Sequence, residues 1–223
     1  MTTKTPRAAR RGDALSKERI VEAAIHILDT GGEDALTFRA LAARLATGSG
    51  AIYWHVADKD DLLAATTNHV IDRVMAGVVD DAAPRQAIRA IALGLFDAID
   101  AHPWVGTQLH RAPWQSAMLQ IFESIGGRLP ALGVPASAQF NCASALLNYI
   151  LGVGAQNAAN ARLVPPGTDR SAFLAAVTDR WMQLAPGEYP FVRQVATQLR
   201  DHDDRAQFLA GVDLILAGLE TLR

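Results

Sequence analysis

The sequence predicts an all-α fold, and three observations support that prediction. Apolar residues recur three and four positions apart along most of the chain, as they do on one face of a helix. No segment alternates apolar and polar residues over the length of a strand. Eight prolines fall at or near the ends of the periodic segments, where helices begin or end: Pro103, Pro113, Pro130, Pro135, Pro165, Pro166, Pro186 and Pro190.

Composition limits the class of protein. The chain has 223 residues, of which 50% are hydrophobic, so it can bury the core of one large or two smaller domains. Its formal net charge is −2, and residues 1–60 hold nine Lys or Arg against eight Asp or Glu. Any binding to nucleic acid must therefore come from a local cluster of charge. The single cysteine, Cys142, excludes an intrachain disulfide and a cysteine-based zinc site.

The sequence also indicates where the protein works. No apolar run approaches the length of a membrane span, and the N-terminus lacks the hydrophobic segment of a secretory signal. We therefore expect a cytoplasmic protein without a membrane partner.

Residues 1–15 are interpreted as a flexible basic arm, with Lys4, Arg7, Arg10 and Arg11 against Asp13. Such a segment is either a disordered terminus or an arm that reaches the minor groove or the phosphates of DNA.

The first helix is predicted to begin at Ser16 and to stop at Gly31–Gly32. Its apolar face is formed by Ile20, Ala24, Ile27 and Leu28, which recur at helical spacing.

Two short helices follow. Thr37 can cap the first, which places Leu41 and Leu45 on one face. Residues 46–48 are small and form the break, after which Ser49 can cap the second helix. Two short helices joined by a tight turn form a helix-turn-helix, whose second helix can enter the major groove of DNA.

A longer helix is predicted next, from Asp58 to about Asp80. Asp58 is its cap, and Asp61 stands where a capping-box partner belongs. The segments together define an N-terminal region of residues 16–80.

The run LTFRALAARLATGSGAIYWHVADKDDLL, residues 36–63, resembles the DNA-binding domain of the TetR family of transcriptional regulators. Residues 52–63 resemble its tetracycline-repressor branch in particular. The resemblance implies that Ile52 packs inward, that Tyr53 and Lys59 clamp phosphates, and that Arg39 and residues 48–55 face the groove. The DNA-binding residues it implies are Thr37, Arg39, Gly48, Ser49, Gly50, Ala51, Tyr53, Trp54, His55 and Lys59.

One part of this run departs from the tetracycline repressor. Gly48, Ser49, Gly50 and Ala51 occupy positions where that repressor carries larger polar and proline side chains. Few direct base readers remain, so DNA shape is expected to carry part of the specificity. Trp54 fits the packing of the domain as well as it fits a DNA contact.

Residues 84–223 are predicted to form a second, wholly helical domain. The periodic segments are 84–101, 113–132, 136–163, 171–184, 189–200 and 205–222.

The last segment carries a regular apolar seam. Its members alternate steps of four and three, as in helix-helix packing: Phe208, Val212, Ile215, Leu219 and Leu222. The segment 136–163 is rich in small residues and suits a close-packed neighbour. We predict that both helices pair with their copies in a homodimer, as the resemblance implies; the alternative is that the seam packs within one chain.

The middle of the chain mixes aromatic residues with neutral polar ones, which is typical of a ligand pocket. The predicted ligand-binding residues are Trp104, His110, Trp114, Met118, Phe122, Asn141, Asn148, Tyr149 and Trp181. Each aromatic residue has core packing as its alternative. The chemistry favours a small apolar or amphipathic ligand, and we expect no cofactor and no metal site.

The resemblance implies a ligand-responsive repressor that binds double-stranded palindromic operator DNA as a dimer. Two alternatives remain: a constitutive DNA-binding dimer without an effector, and an all-helical enzyme. The sequence has no HExxH, no paired ExxH and no GxSxG motif, so we expect no enzymatic activity.

Overall fold

The computed structural model describes residues 15–79, 81–111, 115–163 and 167–222. Residues 1–14 of the predicted basic arm lie outside the described residues, as does Asp80. Within the described residues the chain forms α-helices joined by turns and three short 3₁₀ turns. The α-helices are α1 (Lys17–Ala35), α2 (Phe38–Arg44), α3 (Ser49–Tyr53), α4 (Lys59–Ala76), α5 (Pro84–Ala101), α6 (Pro103–Arg111), α7 (Ser116–Gly126), α8 (Ala136–Leu163), α9 (Arg170–Met182), α10 (Pro190–Val195) and α11 (Asp204–Leu219).

Helix α1 begins where the sequence predicts but extends beyond its predicted end. The hydroxyl of Ser16 accepts a hydrogen bond from the Arg19 N–H at 3.3 Å and caps the helix. Gly32 adopts a left-handed φ of 70° and kinks α1, yet one further turn follows as far as Ala35. The Leu36 N–H closes that turn on the Glu33 carbonyl at 3.2 Å. Gly32 therefore kinks the helix and does not end it.

The turn between α2 and α3 takes the predicted form with one difference. Thr37 caps α2 by accepting from the Ala40 N–H at 3.1 Å. Ala46 turns the chain with a positive φ of 50°. Gly48 is the N-cap of α3 and makes no side-chain capping bond. The prediction that Ser49 caps this helix is wrong, because Ser49 is already its first helical residue.

Helix α4 has the predicted capping arrangement. The Asp58 carboxylate accepts from the Asp61 N–H at 2.8 Å, and the Asp61 carboxylate accepts from the Ala57 N–H at 3.0 Å. The helix ends at Ala76 with Gly77 as its C-cap, a turn earlier than predicted. It packs against α1 on one side and against α5, α6 and α7 on the other, so it joins the two parts of the chain.

The helices from α5 onward follow the proline pattern only in part. Helices α5 and α8 have the bounds predicted for them. Helix α6 was not predicted from the sequence, because Pro103 suggests a break. In the structure Pro103 is the first residue of α6, a position where a proline fits well. The segment predicted at 113–132 is resolved into α7 and a 3₁₀ turn at Pro130–Leu132.

Helix α11 packs its seam inside its own chain. Phe208 and Val212 are fully buried and Leu219 is nearly so, while Ile215 packs against the same core and Leu222 remains partly exposed. The Phe208 ring stacks on Phe96 at 4.7 Å, and Tyr149 donates a hydrogen bond to the Phe208 carbonyl at 3.1 Å. The prediction that this seam faces a partner is therefore wrong for Phe208, Val212 and Leu219.

Ion pairs join α11 and the 3₁₀ turn that follows it to α5. Arg85 bonds Glu220 at 3.2 Å, and Arg205 bonds both oxygens of Asp97 at 3.0 and 3.1 Å. Arg89 pairs with Asp213 in the same row. One face of α11 is thereby committed to the chain's own core, and its opposite face stays accessible.

Candidate functional site

The α2–α3 face, defined as Thr37, Arg39 and residues 48–55, presents aromatic and basic side chains to solvent. Trp54 is 89% exposed and Tyr53 is 54% exposed, whereas the intervening Ile52 is fully buried. The Tyr53 ring stacks on Phe38 with centroids 4.3 Å apart and an interplanar angle of 9°. Exposed aromatic side chains on a rigid helix are available to a partner, and the stack fixes the direction of Tyr53.

Buried apolar side chains lie beneath this face and hold α3 against α1 and α2. Ile52 and Val56 from α3 and its following turn are buried with Leu41 of α2 and Ile20 of α1. The four-residue steps predicted from the sequence therefore place the apolar side of α3 inward. Arg39 is exposed on α2, and His55 is half-buried after α3.

The N-terminal end of α3 carries no large side chains. Gly48, Ser49 and Gly50 are exposed, and Ala51 is half-buried. A Cβ atom built on Gly48 or on Gly50 meets no heavy atom within 4 Å. These glycines thus leave open space on the side of α3 that would approach a partner.

Lys59 lies at the first position of α4 and is half-buried. Its Nζ donates a hydrogen bond to the Glu33 carbonyl at 2.7 Å. If Lys59 binds a phosphate as predicted, its ammonium group must bind the phosphate and the Glu33 carbonyl at the same time. No local sequence pattern marks Glu33, because its partners are distant in the chain.

A cavity of about 480 Å³ lies between α6, α7 and α8. Of the predicted ligand residues, four line it: His110, Met118, Phe122 and Asn148. The remaining lining comes from Leu109, Leu119, Phe140, Ser144, Leu147, Leu151 and Gly152. The wall is thus mostly apolar, with a histidine, a hydroxyl and an amide as its polar groups.

The imidazole of His110 has a defined orientation. Its Nδ1 lies 2.6 Å from the Gly106 carbonyl, which can only accept a hydrogen bond. Nδ1 therefore carries the proton, and in the neutral ring Nε2 is left as an acceptor. The side chain that supplies this acceptor is one of those lining the cavity.

The other predicted ligand residues lie elsewhere. Trp104 is buried, and its indole N–H donates to the Asp29 carboxylate at 2.8 Å. The hydroxyl of Tyr149 is directed to the Phe208 carbonyl at 3.1 Å, and burial raises the pKa of this phenol. Neither residue lines the cavity between α6, α7 and α8. Trp104 instead lines a cleft between α1 and α6, and Tyr149 packs against Phe208 of α11.

Two further predicted residues, Asn141 and Trp181, are absent from the described lining of the cavity. Asn141 is exposed on α8, and Trp181 is on α9, which packs against α10 and the 3₁₀ turn Ala196–Leu199. Trp114 lies outside the described residues.

A second cleft, of about 370 Å³, lies between α1 and α6 and is lined by Asp29, Gly32, Glu33, Trp104 and Thr107 among others. Its acidic groups are paired. Asp29 accepts from the His102 ring nitrogen and from the Trp104 indole, both at 2.8 Å.

Glu33 is the second acidic group of this cleft. Its carboxylate accepts from Arg111 at 2.9 Å and from Gln108 at 3.0 Å. The hydrogen bond from Arg111 holds the pKa of Glu33 below its ordinary value, and the same contact raises the pKa of Arg111. The end of α1 is thus bound to α6 through charged hydrogen bonds.

Two further properties concern the described parts of the chain only. No group of three or more His, Cys, Asp or Glu side chains is placed to hold a metal ion there. No helix in those ranges is both long and apolar enough to cross a bilayer.

Two family models match the chain. One, described as bacterial regulatory proteins of the tetR family, matches residues 20–66. The other, described as a tetracyclin repressor-like C-terminal domain, matches residues 82–223.

Individual proteins show the same similarity. An HTH-type transcriptional regulator of Saccharopolyspora erythraea is 30% identical over 139 residues, which span 62% of this chain and 59% of that protein. The class D tetracycline repressor of Escherichia coli is 28% identical over 219 residues, covering 92% and 89% of the two chains. The solved structure of the transcriptional regulator SCO7222, a TetR from Streptomyces coelicolor, aligns with a TM-score of 0.86 and 50% identity over 94% of this chain and 99% of that one.

Proposed function

Because the chain belongs to the TetR family of bacterial transcriptional regulators, we propose that it is a ligand-responsive repressor. In this proposal a homodimer binds a palindromic operator, and a small apolar or amphipathic ligand releases it. The observation that carries the proposal is the combination of the exposed α2–α3 face with the cavity between α6, α7 and α8.

The α2–α3 face supports a role in DNA binding. An indole that is 89% exposed is costly to hydrate and gains by burial against a partner. Arg39 can form a bidentate contact with guanine, and the Tyr53 hydroxyl can reach a phosphate. The small residues at the front of α3 leave Arg39, Ser49 and His55 as base readers, with DNA shape supplying further specificity.

The accessible face of α11 supports dimerisation. Its outward residues are apolar or small, namely Ala210, Leu214, Ala217 and Gly218, and Leu214 is 75% exposed. The outward stripe of α8 is also rich in small and amide side chains, namely Asn141, Ala145, Asn148, Gly152 and Gln156, of which Asn148 and Gly152 also line the cavity. Small side chains let two helices approach closely, so both stripes suit a second copy of the chain. A two-fold dimer would present two copies of α3 to two half-sites.

The cavity supports a small ligand. Its volume of about 480 Å³ lies within the usual range for small-molecule sites, roughly 300–1,000 Å³. A ligand that binds one arrangement of α6 and α7 more tightly than another would shift the protein toward that arrangement. The protein leaves the DNA when, in the favoured arrangement, the distance between the two copies of α3 no longer matches the distance between the two half-sites. A constitutive DNA-binding dimer would have no need of this cavity.

The ligand step can be tested with a variant that fills the cavity. Compounds that raise the melting temperature of the protein are first selected from a small-molecule library and then titrated into the protein–operator complex. In the wild type they should raise the Kd for DNA. Ser144→Phe places a ring in the cavity and should abolish this response while leaving DNA affinity without ligand unchanged.

Ser137→Phe is the matched control, because Ser137 is exposed in the first turn of α8 and does not line the cavity. This variant should respond to the compound as the wild type does. An unchanged Kd for DNA in the wild type at saturating ligand would contradict the effector mechanism.

A further inference from the structure

The last turn of α1 is held in place by contacts that come from outside the helix. Gly32, with its φ of 70°, interrupts α1, and the turn Glu33–Ala35 lies beyond the kink. Its position therefore depends on what Glu33 contacts. The Glu33 side chain and the Glu33 backbone have different partners.

The side chain of Glu33 faces α6. One carboxylate oxygen accepts from Arg111 at 2.9 Å and the other accepts from Gln108 at 3.0 Å. Gln108 is 2% exposed, so its amide is confined to this place. Charge-assisted hydrogen bonds of this kind fix both distance and direction.

The backbone of Glu33 faces α4. Its carbonyl oxygen accepts from the Leu36 N–H at 3.2 Å and from the Lys59 Nζ at 2.7 Å. Lys59 is the first residue of α4 and follows the α2–α3 face by only a few residues. A lysine ammonium has three N–H groups, so one can bind the carbonyl while another meets a phosphate.

Consecutive residues of α6 bind Glu33 and line the cavity. Gln108 and Arg111 bind Glu33, whereas Leu109 and His110, between them in sequence, line the cavity. A displacement of α6 by a molecule in the cavity would therefore move the partners of Glu33 directly.

We propose that Glu33 is a positioning residue that sets the phosphate contact of Lys59 under the control of α6. Arg111 and Gln108 place the Glu33 turn, and the Glu33 carbonyl directs the Lys59 ammonium toward the DNA backbone. The inference rests on the proposed function, since Lys59 contacts phosphate only if the α2–α3 face binds DNA.

The test measures the salt dependence of DNA binding for the full-length protein. The DNA is a duplex that the wild type selects from a random-sequence pool, and Kd is measured at several salt concentrations. The log of the association constant falls as log salt rises, and each lost phosphate contact reduces the magnitude of that negative slope by about 0.9. Lys59→Met should therefore reduce the magnitude of the slope by about 1.8 for a dimer with two copies of Lys59.

Arg111→Ala is the decisive variant. It should reduce the magnitude of the slope as Lys59→Met does, and the double variant should lose no more slope than Lys59→Met alone. Non-additivity of this kind shows that the two residues act on one contact. Arg111→Lys retains the charge and should restore part of the slope.

Arg200→Ala is the matched control, because Arg200 also pairs with a carboxylate, Asp179, at 3.1 Å and is 55% exposed against 53% for Arg111. It should leave the slope unchanged. A wild-type slope for Arg111→Ala, or additive losses in the double variant, would overturn the inference alone. Failure of the wild type to bind any duplex would overturn the proposed function as well.

Discussion

Gly211 sets how closely α8 and α11 approach each other. A Cβ atom built at this position would lie 1.9 Å from the Tyr149 hydroxyl oxygen and 2.3 Å from the ring carbon that bears it. Glycine is therefore required for close approach here, and that approach lets Tyr149 reach the Phe208 carbonyl. The sequence showed Gly211 beside an apolar seam but could not show that its neighbour is in the same chain.

Gly211→Ala should destabilise the protein by about 1–3 kcal/mol, because the added methyl group overpacks the contact with Tyr149. The free energy of unfolding, measured in urea, checks this expectation. Gly50→Ala is the control, since its Cβ atom meets nothing within 4 Å and alanine favours a helix. Equal stability of the two variants would contradict the described packing.

Arg39→Ala should cost about 1–3 kcal/mol of binding at one base pair of each half-site and relax the preference there. The reason is that Arg39 is the exposed arginine best placed at the N-terminal end of α2 to read a guanine. Binding to a set of operators with single-base changes measures the effect. Arg44→Ala, at the other end of α2, is the comparison. A uniform loss over all sequences for Arg39→Ala would identify a phosphate contact instead.

Local residue patterns predicted the α2–α3 face because its helices depend on short-range signals. Thr37 and Asp58 cap the helices that they precede, and Ile52 is buried as its four-residue spacing with Val56 indicates. The partners of Trp104 and Tyr149 could not be predicted in this way. They lie 75 and 59 positions away in the chain, and an aromatic residue of the core has the same sequence signature as one in a pocket.

At the scale of secondary-structure elements, α6 is the helix that connects the cavity to the N-terminal helices. It contacts α1, α4, α5 and α8. The sequence did not predict it because Pro103 was interpreted as a break. His110 and Trp104 both lie on α6, but His110 lines the cavity and Trp104 contacts α1. That difference could not be predicted while the helix itself was missing from the prediction.

The contact between α1 and α6 should give the stability a specific pH dependence. The pKa of Glu33 is lowered in the folded state below its ordinary value of 4.5, chiefly by the hydrogen bond from Arg111. A lowered pKa adds stability that is fully present above the unfolded pKa and is lost as the pH falls through the folded pKa. The contribution of Glu33 should therefore disappear on acidification below about pH 4.5.

The measurement compares wild type with Glu33→Gln by urea unfolding between pH 7 and pH 3. The wild type should be the more stable protein at neutral pH, and its advantage should shrink as Glu33 takes up a proton. A difference that stays constant over this range would show that the charge of Glu33 does not contribute.

At the scale of the whole molecule, the burial pattern of α11 corrects the predicted dimer surface. The seam of Phe208 and Val212 belongs to the core of one chain, and the face that carries Leu214 is the accessible one. The period of the seam was predicted correctly, but a heptad pattern does not specify whether its partner helix is in the same chain or in another.

Leu214→Glu should convert the proposed dimer to a monomer, because two carboxylates would be buried against each other across a two-fold axis. Sedimentation equilibrium gives the mass directly. Val79→Glu is the control, since Val79 is 68% exposed in the turn after α4 and is outside the accessible face of α11. A dimer that survives Leu214→Glu unchanged would place the interface on another surface.

We propose that two copies of α3 enter successive major grooves of one duplex. Repeated selection of bound DNA from a random-sequence pool, followed by sequencing, tests this most directly. We expect a palindromic consensus with half-site centres one helical turn, roughly 34–36 Å, apart. A selection by active, folded protein that enriches no sequence, or that enriches a single unrepeated site, would contradict it.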